Sequence, residues 1–221
     1  AAPADTGAEP DAGCATVERV LEGVADTTWG DGMCAGANTY GDSPYLNLPW
    51  TALAFADRAG APVDFGAVVA ARLELTADPN CKDCGGGLPT EPGQMLAFPL
   101  RTDWVERWTD GGVSYAGADE CRRTAGNPGL GWGSDPNKSA TTGTKIAAGI
   151  DYDDLAGTGD LTAGATSLSI TLKPGAFTKR FPAGTTKVAV LLHRTALMVI
   201  AARDNVKGLA PPRLVLTECK R

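Results

Sequence analysis

The sequence predicts an all-β protein, a sandwich or barrel of short antiparallel strands joined by long, disulfide-stapled loops. Three observations predict this fold class: segments in which apolar and polar residues alternate, frequent glycine and proline between those segments, and six cysteines. Alternation puts every second side chain on one face of a strand, so one face packs on a core and the other meets solvent. Many short strands separated by turn residues are typical of sandwiches and barrels.

Alternation and short apolar runs define the strands in chain order. The clearest case is the segment Val-Ala-Ala-Arg-Leu-Glu-Leu-Thr at 69–76, which reads as a half-buried strand. No long amphipathic helix is predicted, and residues 151–155 are the one candidate for a short helical turn. We predict strands at residues 16–21, 46–48, 52–56, 69–76, 94–100, 168–173, 188–194, 196–202 and 214–217.

Two stretches, residues 80–93 and 121–144, lack this pattern and are rich in Gly, Pro, Asn and Thr. Loops of this length without structure of their own are uncommon, and they are usually functional or tied down. Three of the six cysteines lie in these stretches, so we expect disulfides to tie them down. Nothing marks a further boundary, which predicts a flexible lead-in at 1–14 and a single domain at 15–221.

Charge and hydropathy argue against two classes of partner. A net charge of −6 disfavours nucleic acid and anionic membranes, because either would repel an acidic surface. No apolar run approaches the roughly 18 residues that would span a bilayer. The chain opens with Ala-Ala-Pro-Ala, without Met or an apolar segment, as we expect of a secreted protein whose signal peptide has been removed.

The even number of cysteines also fits an oxidising, extracellular compartment. The alternative is a zinc site, since Cys81 and Cys84 form a Cys-x-x-Cys pair. No second pair and no histidine occur at the spacing of a zinc finger, which favours disulfides.

Several short motifs, in order along the chain, resemble those of DNRLRE-type domains. They are Ala-Asp-Thr at 25–27, Ala-Asn-Thr-Tyr-Gly-Asp-Ser-Pro-Tyr-Leu at 37–46, the strand at 68–75, Trp-Val-Glu at 104–106, Gly-Gly-Val-Ser-Tyr at 111–115, and the closing segments 201–205 and 211–217. The resemblance implies a two-layer antiparallel β-sandwich with jelly-roll topology, found in bacterial and archaeal extracellular proteins. It also implies a binding role, because some members bind acidic polysaccharides such as alginate. The six cysteines and the insertion at 121–144 depart from the family pattern.

We predict three disulfides. Cys14–Cys219 would join the outer ends of the first and last strands, which pair in many jelly rolls. Cys81–Cys84 would join two residues too close in sequence to avoid each other, and Cys34–Cys121 follows by elimination.

Candidates for catalysis are few, and we predict that the protein is not an enzyme. His193 is the only imidazole, and it lies inside a predicted strand rather than beside a nucleophile. Asp151, Asp153 and Asp154 cluster, but acidic loops are common and glycosidases need two carboxylates at a defined separation. No nucleophile elbow or phosphate-binding loop occurs.

Aromatic residues outside the predicted strands are the better candidates for function, because sugar rings pack on aromatic planes. Trp132 lies between two glycines, and Arg122, Arg123 and Lys138 flank it with positive charge, so these four residues are the predicted ligand-binding set. The alternative is that the tryptophans fill the ends of a sandwich. The aromatic residues assigned to loops are Trp29, Tyr40, Tyr45, Trp50, Trp104, Trp108, Tyr115 and Trp132.

Calcium is the one metal that the pattern suggests, since jelly-roll modules often hold a structural ion where their terminal strands meet. Asp26 and Asp204 would be its ligands, and no other cofactor is predicted.

The sequence therefore favours a secreted, non-catalytic carbohydrate-binding module for a polysaccharide or cell-surface glycan, with an acidic polysaccharide as one candidate. One alternative is a structural or adhesive subunit of an extracellular matrix, coat or filament that self-assembles. The other is a polysaccharide-degrading enzyme.

Overall fold

Strands make up almost all of the regular structure. The computed structural model describes residues 14–29, 45–46, 50–79, 81, 87–102, 109–110, 113–114, 122–124, 127–131, 149, 152–203, 205 and 207–220. Within these residues the only helix is α1 (Gly175–Thr178), so none there is long enough to cross a membrane. The strands are β1 (Thr16–Trp29), β2 (Tyr45–Leu46), β3 (Trp50–Ala56), β4 (Val68–Thr76), β5 (Gly93–Leu100), β6 (Thr109–Asp110), β7 (Val113–Ser114), β8 (Arg122–Thr124), β9 (Asn127–Gly131), β10 (Gly157–Leu161), β11 (Ser167–Leu172), β12 (Lys187–Arg194), β13 (Ile200–Ala201) and β14 (Arg213–Cys219).

Eight strands form one antiparallel sheet in the order β10-β5-β12-β3-β1-β14-β4-β11, which confirms the predicted all-β, antiparallel fold. Along the chain, the eight pair from the outside inward. The first strand pairs with the last (β1–β14), then β3 with β12, β4 with β11, and β5 with β10. This nested pairing is compatible with the predicted jelly roll, which stays a prediction.

The long strand β1 connects two halves of the sheet. Its residues 16–22 pair with β14, and its residues 22–29 pair with β3, with a register shift between Gly23 and Ala25. An irregularity of this kind bends a strand and increases its twist, so β1 passes from one half to the other. We call β3, β5, β10 and β12 layer A, and β1, β4, β11 and β14 layer B.

The main core lies between layers A and B. Leu53 of layer A and both Leu73 and Leu216 of layer B are fully or almost fully buried in one cluster. The cluster extends to α1, where the rings of Phe177 and Phe65 stack with their centroids 5.0 Å apart. Burial of such side chains stabilises the fold by roughly 1.5–3 kcal/mol each.

The outermost strands of the sheet, β10 and β11, come into close contact. A Cβ atom at Gly157 would lie 2.3 Å from the carbonyl oxygen of Thr171, and one at Gly159 would lie 2.8 Å from the side chain of Ile170. Only glycine permits so close an approach, so the two glycines let the sheet roll up around its core. The sequence analysis missed β10 because its residues, Gly-Thr-Gly-Asp-Leu, look like a turn.

The predicted Cys14–Cys219 disulfide is confirmed, and it closes a sequence separation of 205 residues. It lies beside the first pair of the β1–β14 ladder, Thr16 with Cys219. Cys81 is buried and disulfide-bonded as well. Cys34, Cys84 and Cys121, one of which is its partner, lie outside the described residues. Cys81–Cys84 and Cys34–Cys121 therefore stay predictions.

The predicted strand at residues 196–202 is wrong, since only β13 within it is extended. Arg194, the last residue of β12, explains the difference. Its buried guanidinium donates hydrogen bonds to the carbonyl oxygens of Met198 and, at 3.2 Å, of Leu46. These bonds fold the chain back after β12, so the apolar residues that follow fill the core without forming a strand.

Two other expectations about local structure are corrected. No helical turn forms among the described residues of 151–155, where Tyr152 makes a β-bridge with Leu100. The short helix is α1 instead, which begins directly after Pro174. The stretch 121–144 has structure of its own, because β8 and β9 form an antiparallel pair within it.

Candidate functional site

Two of the four predicted ligand-binding residues lie in described strands. Arg122 and Arg123 belong to β8, and Arg122 is in register with Gly131, the last residue of β9. Trp132 follows β9 directly, but Trp132 and Lys138 lie outside the described residues. A joint site of these four residues therefore stays a prediction.

The predicted calcium ligands fall partly within the described residues. Asp26 is buried in β1, and its Oδ2 accepts a hydrogen bond of 2.7 Å from the backbone N–H of Arg203. The Arg203 guanidinium donates to the carbonyl oxygen of Val24. Asp26 therefore binds the turn that leads to Asp204, which is itself outside the described residues. Within the described part of the chain, no three Asp, Glu, His or Cys residues are grouped to hold a metal ion.

Trp29 and Trp50 lie in strands, which corrects their assignment to loops. Trp29 is the last residue of β1 and Trp50 the first of β3, and their backbones are in register. The ring of Trp50 lies against His193 of β12, with centroids 4.2 Å apart. His193, the only imidazole of the chain, thus lies against an aromatic ring in the middle of the sheet.

Asp153, the second candidate for catalysis, is held in a bidentate ion pair. Its two carboxylate oxygens accept hydrogen bonds of 2.8 Å from Nε and Nη2 of Arg180. The carboxylate is almost fully buried, and its backbone N–H donates to the carbonyl oxygen of Pro99. This arrangement ties the segment before β10 to β5 and α1, and so gives Asp153 a structural role.

Arg194 is the most deeply buried charged group with a shifted pKa among the described residues. Burial lowers the pKa of its guanidinium to about 9. Because its hydrogen bonds go to the carbonyl oxygens of Leu46 and Met198, it fixes loops at one end of the sheet.

The outer face of layer B carries a ladder of paired charges. Arg72 of β4 donates to Glu74 and to Glu18 of β1, each at 2.9 Å. Arg213 of β14 donates to the other oxygen of Glu74 at 2.7 Å. The ladder therefore spans three neighbouring strands and fixes the position of the Glu74 carboxylate.

This ladder also sets the protonation of its members. The hydrogen bond from Arg72 holds the pKa of Glu74 below its usual value, against the opposing effect of partial burial, and the charge of Arg213 adds to the lowering. The hydrogen bonds to Glu18 and Glu74 raise the pKa of Arg72. Glu74 and Arg72 are thus fixed as charged groups at neutral pH.

A groove of about 290 Å³ opens on this face beside Glu74 and Arg213. Leu75 and Leu168 also line it, but their side chains point to the core between these strands. The hydroxyls of Thr76, Ser167 and Ser169 line the rest, and they make no hydrogen bond with any described residue. The groove therefore combines a fixed ion pair with hydroxyl groups open to a ligand.

The sequence analysis missed this groove, although the sequence marks some of its lining residues as outward-facing polar positions. Glu74 and Thr76 occupy polar positions of the alternating segment that predicted β4, and Ser169 does so in β11. Alternation indicates that these side chains face outward, but it does not say which strands are neighbours. The register of Ser169 with Glu74, and of Glu74 with Arg213, is set by the fold.

Comparison with known proteins identifies no relative: no family model matches the chain, and no curated protein matches it.

Proposed function

We propose that the protein is a non-catalytic, extracellular carbohydrate-binding module. The observation that carries the proposal is the groove on the outer face of layer B, where Glu74 and Arg213 lie beside three hydroxyls. Sugars are bound by such groups, since their hydroxyls need donors and acceptors held in fixed positions. The resemblance to DNRLRE-type domains points the same way and is part of the proposal.

The rigidity of the surrounding strands supports this function. The groove lies on β4, β11 and β14, three neighbouring strands of the antiparallel sheet. Side chains held by a sheet and by one another lose little conformational freedom when a ligand binds, so a weak ligand is not opposed by an ordering cost.

The disulfides support the extracellular location. Cys14–Cys219 and the bonded Cys81 are typical of proteins that fold in an oxidising compartment. Two of the residues that offered catalytic chemistry have structural contacts, His193 with Trp50 and Asp153 with Arg180. These contacts favour binding over catalysis as the role of the domain.

An acidic polysaccharide is the proposed ligand of the second surface, formed by Arg122, Arg123, Trp132 and Lys138. Guanidinium and ammonium groups suit carboxylate-bearing sugars, and a tryptophan ring offers a stacking plane.

Affinity electrophoresis tests the function directly. The protein is run through native gels that contain alginate, polygalacturonate or one of several neutral polysaccharides. We expect retardation in at least one gel, and we expect Trp132→Ala to reduce it several-fold with acidic polysaccharides while the melting temperature stays unchanged. Migration unaffected by every polysaccharide, together with a negative glycan array, would exclude the proposed function.

A structural subunit is the second candidate, favoured by exposed apolar side chains on β1. Val17, Val20 and Val24 are 43%, 39% and 39% exposed, although β1 lies in the middle of the sheet. Val17 and Val20 point to opposite faces of β1, so Val20 is the exposed apolar side chain that the outer face of layer B presents to a partner. Sedimentation velocity tests this alternative: concentration-dependent assembly that Val20→Thr weakens would favour a subunit, and a monomer at all concentrations would exclude it.

A further inference from the structure

We infer that the groove between β4 and β11 binds a neutral glycan chain, an inference that rests on the proposed function and names the ligand class of this site. The charge balance of the groove carries the inference. Its one carboxylate, Glu74, and its one guanidinium, Arg213, are paired at 2.7 Å. The adjoining residues Arg72 and Glu18 also form an ion pair, with 2.9 Å between nitrogen and oxygen.

A charged ligand would have to break these pairs. An anionic sugar would compete with Glu74 for Arg213, and a cation would compete with both arginines for Glu74. A neutral, hydroxyl-rich ligand leaves these ion pairs intact, because it can bind to the donors and acceptors that the pairs do not use.

Those open groups are numerous. A guanidinium has five N–H donors, and Arg213 uses one of them, on Glu74, among the described residues. Each hydroxyl of Thr76, Ser167 and Ser169 can donate and accept, as the hydroxyls of a sugar do. The groove is thus matched to a ligand whose polar groups both donate and accept.

Position and size agree with a chain rather than a single compact molecule. Ser167 and Ser169 point to the same side of β11, about 7 Å apart at the rise of an antiparallel strand. A volume of about 290 Å³ is at the small end for ligand pockets and suits one or two sugar rings. Because the groove is open, the remainder of a glycan can extend along the sheet.

The test is a titration of the isotopically labelled protein, followed by amide chemical shifts. The probes are cellotetraose, mannotetraose and maltotetraose as neutral glycans, and tetragalacturonate as the acidic one. We expect at least one neutral probe to bind in the millimolar range and to shift residues 74–76, 167–169 and 213.

Two pairs of variants locate the site. Ser169→Phe fills the groove and should weaken binding at least tenfold, whereas Thr171→Phe, exposed two residues further along β11 and outside the groove lining, should change it less than twofold. Arg213→Gln removes groove donors and should weaken binding about fivefold. Lys173→Gln is its control, because Lys173 is an exposed cation that does not line the groove.

The outcomes separate this inference from the proposed function. If a glycan binds but Ser169→Phe and Arg213→Gln bind it as the wild type does, the groove is not the site and the proposed function stands. Preference for tetragalacturonate at these same residues would also overturn the inference. If none of the probes or polysaccharides binds, both fail. Equal melting temperatures of Arg213→Gln and Lys173→Gln ensure that the comparison reports binding rather than folding.

Discussion

The outer faces of layers A and B differ sharply, although both layers share one core. On layer A, the outward side chains Ala52, Ala189 and Leu191 have no exposure and form a second apolar cluster with Leu100. On layer B, the outward positions hold the charge ladder around Glu74 and the groove beside it. The central strands of layer A, β3 and β12, are therefore buried on both faces, and layer B is buried on one.

The burial patterns of individual strands show the same difference. The seven residues of β3 include five consecutive buried ones, whereas burial in β4 alternates along most of its length. Continuous apolar runs are typical of strands covered on both faces, and alternation is typical of strands with one open face. Layer A thus contributes mainly to stability, and layer B presents the chemistry that a ligand could use.

The largest effect should come from the disulfide Cys14–Cys219 on layer B. The variant Cys14→Ser with Cys219→Ser opens a loop of 205 residues, and loop-entropy arguments put the loss of stability at about 5 kcal/mol. Urea unfolding monitored by tryptophan fluorescence measures it. A loss below about 1 kcal/mol would mean that the β1–β14 ladder holds the chain ends without the disulfide.

The next comparison is between the stability losses caused by breaking two ion pairs, that of Asp153 and that of Glu74. Asp153→Asn should cost about 3–5 kcal/mol, because it leaves the Arg180 charge beside a nearly buried position without its carboxylate. Glu74→Gln on layer B should cost less than about 1 kcal/mol, since its arginine partners are more exposed. Thermal and urea unfolding of both variants check this order, and equal losses would contradict it.

The two outer faces can be compared through apolar side chains. Leu191→Ala should destabilise the protein by about 2–5 kcal/mol, because it opens a cavity in the cluster that covers layer A. Val20→Thr on layer B keeps the β-branched shape at an exposed position and should change stability by less than about 0.5 kcal/mol. If the two substitutions had the same effect, the outer face of layer A would not be a packed surface in solution.

The smallest effect is the pH dependence of the ladder on layer B. The folded pKa of Glu74 lies below its usual value of 4.5, so the folded state favours the ionised form. This contribution is fully present above pH values of about 4.5, and it is lost as the pH falls through the lowered folded pKa. Glu74→Gln should therefore flatten the stability profile on the acid side, so that the difference from the wild type is largest near neutrality and shrinks as the pH falls. Parallel acid profiles for the variant and the wild type would contradict this.

Part of the candidate site could be predicted from the sequence. Alternation marked Glu74 and Ser169 as outward-facing, and the position of the cysteines at the chain ends indicated Cys14–Cys219. The groove itself could not be predicted, because its residues come from positions 74–76, 167–169 and 213, and only the register of β4 with β11 and β14 brings them together.

The sequence by itself determined an all-β fold, the strands that alternate or run apolar, and the disulfide at the chain ends. The strands depend on which neighbours along the chain share a face, and that is set by a period of two residues. The disulfide was indicated by cysteines that flank the first and last strands. The tertiary structure alone decided three others: the bend of β1 near Gly23, the closing of β10 on β11, and the turn that Arg194 imposes after β12. Each depends on atoms from distant parts of the chain, whose approach is fixed by packing and hydrogen bonds that no local pattern encodes.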